Sequence, residues 1–245
     1  MHFNKESIIG EVVASDYRTA TVFKHNGIDF CCKGDRSIEQ ACHRKNIEIE
    51  QILTELHEAT NSNSTHIHDY SSWQLDFLAD YIENHHHTYV RKRIEEIKPF
   101  LEKTALVHGS INPVLIEIRD MFLASCEELT AHMAKEEFVL FPFIRKMVDA
   151  KKNNAPPPPP HFGSVENPIQ MMKHEHETEG DRFRKIAELS NNYTQPSHAC
   201  NTYRVVFSLL EEFERDLHMH IHLENNILFP KAIEMEHELQ AKLSN

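Results

Sequence analysis

The sequence predicts an all-α protein, an up-down-up-down four-helix bundle with a small N-terminal helical domain. Three observations carry this. The pattern H-x-x-x-E-x-x-x-L-F-P occurs twice, at His132–Pro142 and at His220–Pro230. Apolar residues recur in steps of three and four around both copies, whereas the alternation expected of strands is scarce. Only six glycines are spread over 245 residues. The two copies lie 88 residues apart, and each follows a histidine-rich stretch at nearly the same interval: His87 precedes His132 by 45 residues and His176 precedes His220 by 44. That is a duplicated two-helix unit. Two such units joined by turns make a bundle, and bundles build their metal sites in the core between facing helices.

Residues 1–60 read as the small helical domain. Ser7–Val13 and Thr19–Phe23 are short helical pieces, Gly27–Gly34 is a turn, Ser37 caps a helix through Cys42, and Glu48–Glu58 forms another. Residues 61–71 are polar and aperiodic and read as a linker, with His66 and His68 as solvated linker histidines. Residues 72–245 hold the bundle. Its first helix runs from Trp73 through Ile82, Val90 and Ile97, with Pro99 expected to kink or interrupt it. Asn112 and Pro113 supply a cap and an N1 proline for the second helix. Pro156–Pro160 form a stiff extended connector. The third helix starts near Ser164 or Asn167-Pro168, and the fourth runs to about Lys242.

Composition sets the outer bounds. A net charge of −12 argues against nucleic acid or an anionic membrane as partner. No apolar run approaches the roughly 18 residues needed to span a bilayer, and the N-terminus lacks a signal peptide's apolar core. Five cysteines are an odd count with no disulfide framework, which points to a reducing cytoplasm.

The duplicated motif carries chemistry. Positions i and i+4 of a helix stack on one face about 5–6 Å apart, so imidazole and carboxylate point the same way. In the first copy Ile118, Phe122, Ser125 and Leu129 lead to His132, Glu136 and Leu140; in the second, Leu210, Phe213 and Leu217 lead to His220, Glu224 and Leu228. Both His–Glu pairs therefore occupy core positions. A buried, unpaired carboxylate is expensive, and bound cations remove the problem. Two His/Glu pairs with one histidine from each of the other two helices give four imidazoles and two carboxylates. That is too many ligands for one metal, but it suits two metals bridged by both carboxylates. The donor set fits iron, manganese or zinc and argues against copper(I) or a structural zinc.

Cys31 and Cys32 sit at the Gly27–Gly34 turn. One reading makes them small buried apolar side chains. The other makes them a thiol pair whose pKa is lowered by Lys24, Lys33 and Arg36, fit for redox or metal chemistry.

With these residues in view, the second half resembles the hemerythrin-like domain, and the two L-F-P tails resemble the variant in the iron–sulfur cluster repair di-iron proteins. The Gly-Ile-Asp-Phe-Cys-Cys-Lys-Gly turn resembles the hallmark of that family's N-terminal double-cysteine domain, with Lys33 where the family usually has glycine. After His176, Glu-Thr-Glu-Gly stands in place of the common Asp-Glu-Ala-Gly. The resemblance implies two non-haem iron ions, His87, His132, His176 and His220 as terminal ligands, and Glu136 and Glu224 as bridging carboxylates. It implies Cys31 and Cys32 as the functional thiols. The implied role is repair of clusters damaged by oxidants or nitric oxide, by supplying iron, with damaged iron–sulfur proteins as clients. It leaves a homodimer open. The alternatives are nitric oxide binding or reduction at the di-iron pair, and oxygen binding or sensing. Within the run His85-His86-His87 two arguments disagree. At 100° per residue from Ile82, His86 falls near the centre of the apolar stripe and His87 at its edge; the family pattern places the ligand at His87.

Overall fold

The computed structural model describes residues 3–61, 69–157, 159–197 and 199–243. His66 and His68, read above as linker histidines, lie outside the described residues. Eleven α-helices are found among the described residues: α1 (Ile9–Ser15), α2 (Thr19–His25), α3 (Ile38–Lys45), α4 (Ile49–Asn61), α5 (Leu75–Tyr81), α6 (Thr88–His108), α7 (Val114–Lys135), α8 (Phe141–Lys152), α9 (Glu166–Leu189), α10 (Asn201–Leu223) and α11 (Phe229–Leu243). Three π-helical turns join them into longer runs: Ile82–His87 between α5 and α6, Glu136–Leu140 between α7 and α8, and Glu224–Leu228 between α10 and α11. Contacts divide the chain into two compact units, Ala79–His220 and Met1–Leu78 with Ile221–Asn245.

In the unit Ala79–His220 four helical runs pack as a closed bundle. α6 packs on α7 and α7 on α9. Phe183 of α9 stacks on Phe213 of α10 with centroids 5.4 Å apart, and Phe122 of α7 meets Phe213 edge-on at 5.5 Å. Arg93 of α6 reaches Glu212 of α10 at 2.7 Å and closes the ring. The apolar residues that the sequence placed on the stripe, among them Ile97, Ile118, Phe122 and Phe213, are buried. Pro99 lies inside α6 without interrupting it. The cap expected of Asn112 is not made: Pro113 takes the N-cap position, and the Asn112 side chain donates to the Tyr203 hydroxyl at 3.1 Å.

The L-F-P tails explain two of the π turns. Pro142 and Pro230 have no N–H to give, and in an α-helix each ring would press on the carbonyl four residues back. The chain widens before each proline instead. Phe141 N–H bonds the Glu136 carbonyl and Phe229 N–H the Glu224 carbonyl, both five residues back. Such turns recur at functional sites because they re-aim side chains. No proline marks the turn Ile82–His87.

In the second unit, α1–α4 close around Ile9, Val13, Phe23, Ile38, Ile52 and Leu56, all buried. Ser37 caps α3 as expected, in a reciprocal pair with Gln40. The C-terminal segment packs on this core. Asn226 sits against two glycines: a Cβ on Gly10 would meet its Oδ1 at 2.5 Å, and a Cβ on Gly34 would meet the Phe30 carbonyl at 2.4 Å and the Asn226 Oδ1 at 3.0 Å. Gly10 N–H bonds the Gly34 carbonyl at 2.8 Å, so the two backbones touch. A side chain at position 34 has backbone in its way. Gly34→Ala is therefore expected to lower stability by about 1–3 kcal/mol, read as a lower urea midpoint at unchanged slope.

Candidate metal centre

Five of the six residues expected in the core lie in the unit Ala79–His220, and the bundle gathers them. His87 ends the first π turn, His132 lies in the last turn of α7, Glu136 opens the second π turn, His176 is midway along α9, and His220 lies near the end of α10. All five are buried. Glu136 Oε2 stands 3.3 Å from His87 Nε2 and 3.4 Å from His132 Nε2. His176 Nε2 faces His132 Nε2 at 3.0 Å. The rings of His87 and His220 lie 4.9 Å apart. His87, Glu136 and His220 can each offer one ligand atom within 4.8 Å of the others, and so can His132, Glu136 and His176. The sixth residue, Glu224, is buried on the π turn that continues α10, four residues past His220.

These separations suit a metal. Two donors each about 2.1 Å from one ion lie roughly 3.0–3.4 Å apart at right or tetrahedral angles, and the core distances fall in that span. Neutral imidazole nitrogens with a carboxylate between them form a borderline-to-hard set with no thiolate, which suits iron, manganese or zinc. The residues fit a cation-binding core.

Around the core, carboxylates hold the imidazoles. His87 Nδ1 pairs with Glu137 Oε1 at 2.7 Å, and Arg91 grips both oxygens of Glu137 at 2.6 and 2.7 Å. Burial would push the Glu137 carboxyl up, but Arg91 and His87 outweigh it and hold the carboxyl below its ordinary range. His132 Nδ1 pairs with Glu175 Oε2 at 2.7 Å, and Lys135 bonds the other oxygen. Chiefly through the hydrogen bond to His132, the Glu175 pKa falls to about 2. A carboxylate on the outer nitrogen leaves Nε2 as the inward donor and fixes the ring. Glu137 escaped the sequence reading. Its signal was the residue after each motif glutamate, Glu137 in one copy and Asn225 in the other.

The first π turn bears on the conflict over the histidine run. A π turn advances each residue by about 80° instead of 100°. Five such steps from Ile82 bring His87 close to the orientation that α geometry gave to His86. His87 accordingly faces Glu136, while His86 turns its Nδ1 to Asp216 Oδ1 at 3.1 Å and stacks on the His220 ring.

The cysteine pair sits in the other unit. Cys31 and Cys32 are both free, with sulfurs 3.7 Å apart. Asp29 Oδ1 accepts the backbone N–H groups of Cys31 and Cys32 at 3.2 and 2.9 Å. The expected lowering of the thiol pKa by Lys24, Lys33 and Arg36 is not found at Cys31. Its thiol is pushed well up, first by the hydrogen bond with Cys32, then by burial and by the charge of Asp29. Arg36 Nε is engaged with the Lys33 carbonyl at 3.1 Å. The turn is anchored by residues that the sequence reading passed over: Asn225 Nδ2 donates to the Cys31 carbonyl and Asn226 Nδ2 to the Phe30 carbonyl, each at 3.0 Å. The Asn226 amide also meets His222 Nδ1 at 2.9 Å, and burial lowers the His222 pKa to about 3.

A helical bundle with histidines and a carboxylate converging in its core is a cation-binding bundle, and comparison with known proteins agrees. Residues 78–232 match the Hemerythrin HHE cation binding domain, and residues 5–60 match a Domain of Unknown function, DUF542. The iron-sulfur cluster repair protein ScdA of Staphylococcus haemolyticus is 32% identical over 226 residues, covering 92% of this chain and 97% of its own. The iron-sulfur cluster repair protein YtfE of Yersinia pestis is 31% identical over 239 residues, covering 96% of this chain and all of its own. The chain therefore belongs to the hemerythrin-domain family of iron–sulfur cluster repair proteins. No described helix is long and apolar enough to cross a membrane.

Two outcomes follow from the geometry. Glu137→Gln and Glu175→Gln should each weaken metal binding about 10–100-fold, measured by competition with a chelator, because each frees a histidine ring to turn. His87→Ala should strip or strongly alter the bound metal, whereas His86→Ala should change its spectrum less.

Proposed function

We propose that the protein holds two irons in its core and serves the repair of iron–sulfur clusters damaged by oxidants or nitric oxide. The observation that carries this reading is the place of Glu136. One carboxylate oxygen faces His87 on one side and His132 on the other, each at ligand-to-ligand distance, with His220 beside the first and His176 beside the second. A single carboxylate between two histidine pairs is what a bridge between two ions requires. By the duplication, Glu224 stands in the second copy where Glu136 stands in the first, and we assign it the same role. The relatives named above are iron–sulfur cluster repair proteins, which supports the functional half of the reading.

When bound, the iron pair supplies redox-active metal that can be released. The chain's own residues set how firmly it is held. Glu137 and Glu175 keep Nε2 of His87 and His132 turned inward, and Arg91 and Lys135 keep those two carboxylates charged. Asn225 and Asn226 follow Glu224 directly and bond the backbone of the double-cysteine turn. A displacement of that turn is thereby transmitted to the residue at 224. In this reading iron is the cargo, Cys31 and Cys32 meet the damaged centre, and the clients are cytoplasmic iron–sulfur proteins.

The test is Glu136→Ala in the full chain, followed by iron analysis and Mössbauer spectroscopy. Both iron environments are expected to change together, and reactivation of an oxidant-damaged iron–sulfur enzyme to be lost. A variant that retains one iron in an unaltered environment would rule the bridge out.

A further inference from the structure

A second group of donors lies outside the core, built from His85, His86 and Asp216. Their ligand atoms fall within 4.8 Å of one another. His86 is buried and His85 is exposed. His86 Nδ1 stands 3.1 Å from Asp216 Oδ1, again the separation of neighbouring donors on one ion. The second oxygen, Asp216 Oδ2, is buried without a hydrogen bond, and so is His86 Nε2. A buried carboxylate oxygen with no donor is costly, and a cation would satisfy it. The rings are held in place: Tyr81 stacks on His85 with centroids 5.0 Å apart at 12°, and His86 stacks on His220 at 5.6 Å and 10°.

The duplication provides an internal control. Asp216 precedes His220 by four residues, as Glu128 precedes His132. In the first copy the carboxylate at that place meets an arginine, Arg182, at 2.7 Å. In the second it meets a histidine. One half of the bundle thus neutralises the position with a fixed positive charge, and the other half presents imidazole.

We propose that His85, His86 and Asp216 form a second cation site, open to solvent at His85, that takes a divalent first-row metal ion through two imidazoles and one carboxylate. Two nitrogens and one oxygen on one face leave the remaining positions to water. The site does not depend on which metal fills the core.

Equilibrium dialysis of the full chain against zinc(II), with bound zinc and resident metal counted together, tests the proposal. The unaltered chain is expected to take up one zinc beyond its resident metal and to keep that metal. Asp216→Asn and His85→Ala should each weaken this uptake about tenfold or more while resident metal stays unchanged. Uptake that survives both substitutions overturns the site. So does zinc that enters only as resident metal leaves, because that is exchange in the core.

Discussion

The structure depends on one costly placement, a glutamate side chain in the middle of a helical bundle. Removing a carboxylate from water costs several kcal/mol even after the surroundings relax. Glu136 is fully buried, and the groups turned toward it are imidazole nitrogens of two helices. Everything near it serves to make that burial tolerable. The π turns widen the backbone where the side chain must point inward, and the outer carboxylates fix which nitrogen each ring offers. A bundle filled only with leucine and phenylalanine would pack more simply, and it would have nothing to hold a cation.

Duplication supplied two equal halves, and the halves have since been put to different uses. Each motif glutamate opens a π turn ahead of a proline. The next residue separates them. In the first copy Glu137 reaches back to His87; in the second Asn225 reaches to the Cys31 carbonyl. One half orients a ligand and the other grips the N-terminal turn. The same divergence appears one turn before each motif histidine, where Glu128 meets Arg182 and Asp216 meets His86.

The helical class, the bundle and the gathering of His132, Glu136, His176 and His220 were legible because a 3.6-residue period and an i, i+4 pair are local properties that any α-helix expresses. The π turn at Ile82–His87 was not legible, since no proline or glycine announces it, and it reorients the run by about one residue. For that reason periodicity favoured His86 where the geometry turns His87 toward the carboxylate. Asn112 misled for a different reason: its side-chain amide donates to a tertiary partner, Tyr203, and makes no local cap. For the thiols the sequence left two readings open, and the raised Cys31 thiol goes against the one built on charge. Three basic residues stand near Cys31 in sequence, but the hydrogen bond with Cys32, then burial and Asp29, act on the sulfur directly. Asn225 and Asn226 were visible only as two of the positions at which the motif copies differ.

The asparagine contacts have a further consequence. Both amides bond main-chain carbonyls, at Phe30 and Cys31. These two bonds are made to the main chain and not through the cysteine side chains. The thiols can be alkylated, oxidised or replaced without removing a single atom from the anchorage, so the reactive chemistry of the turn and its position are under separate control. A segment secured in this way can tolerate drift in what it carries while staying where it is.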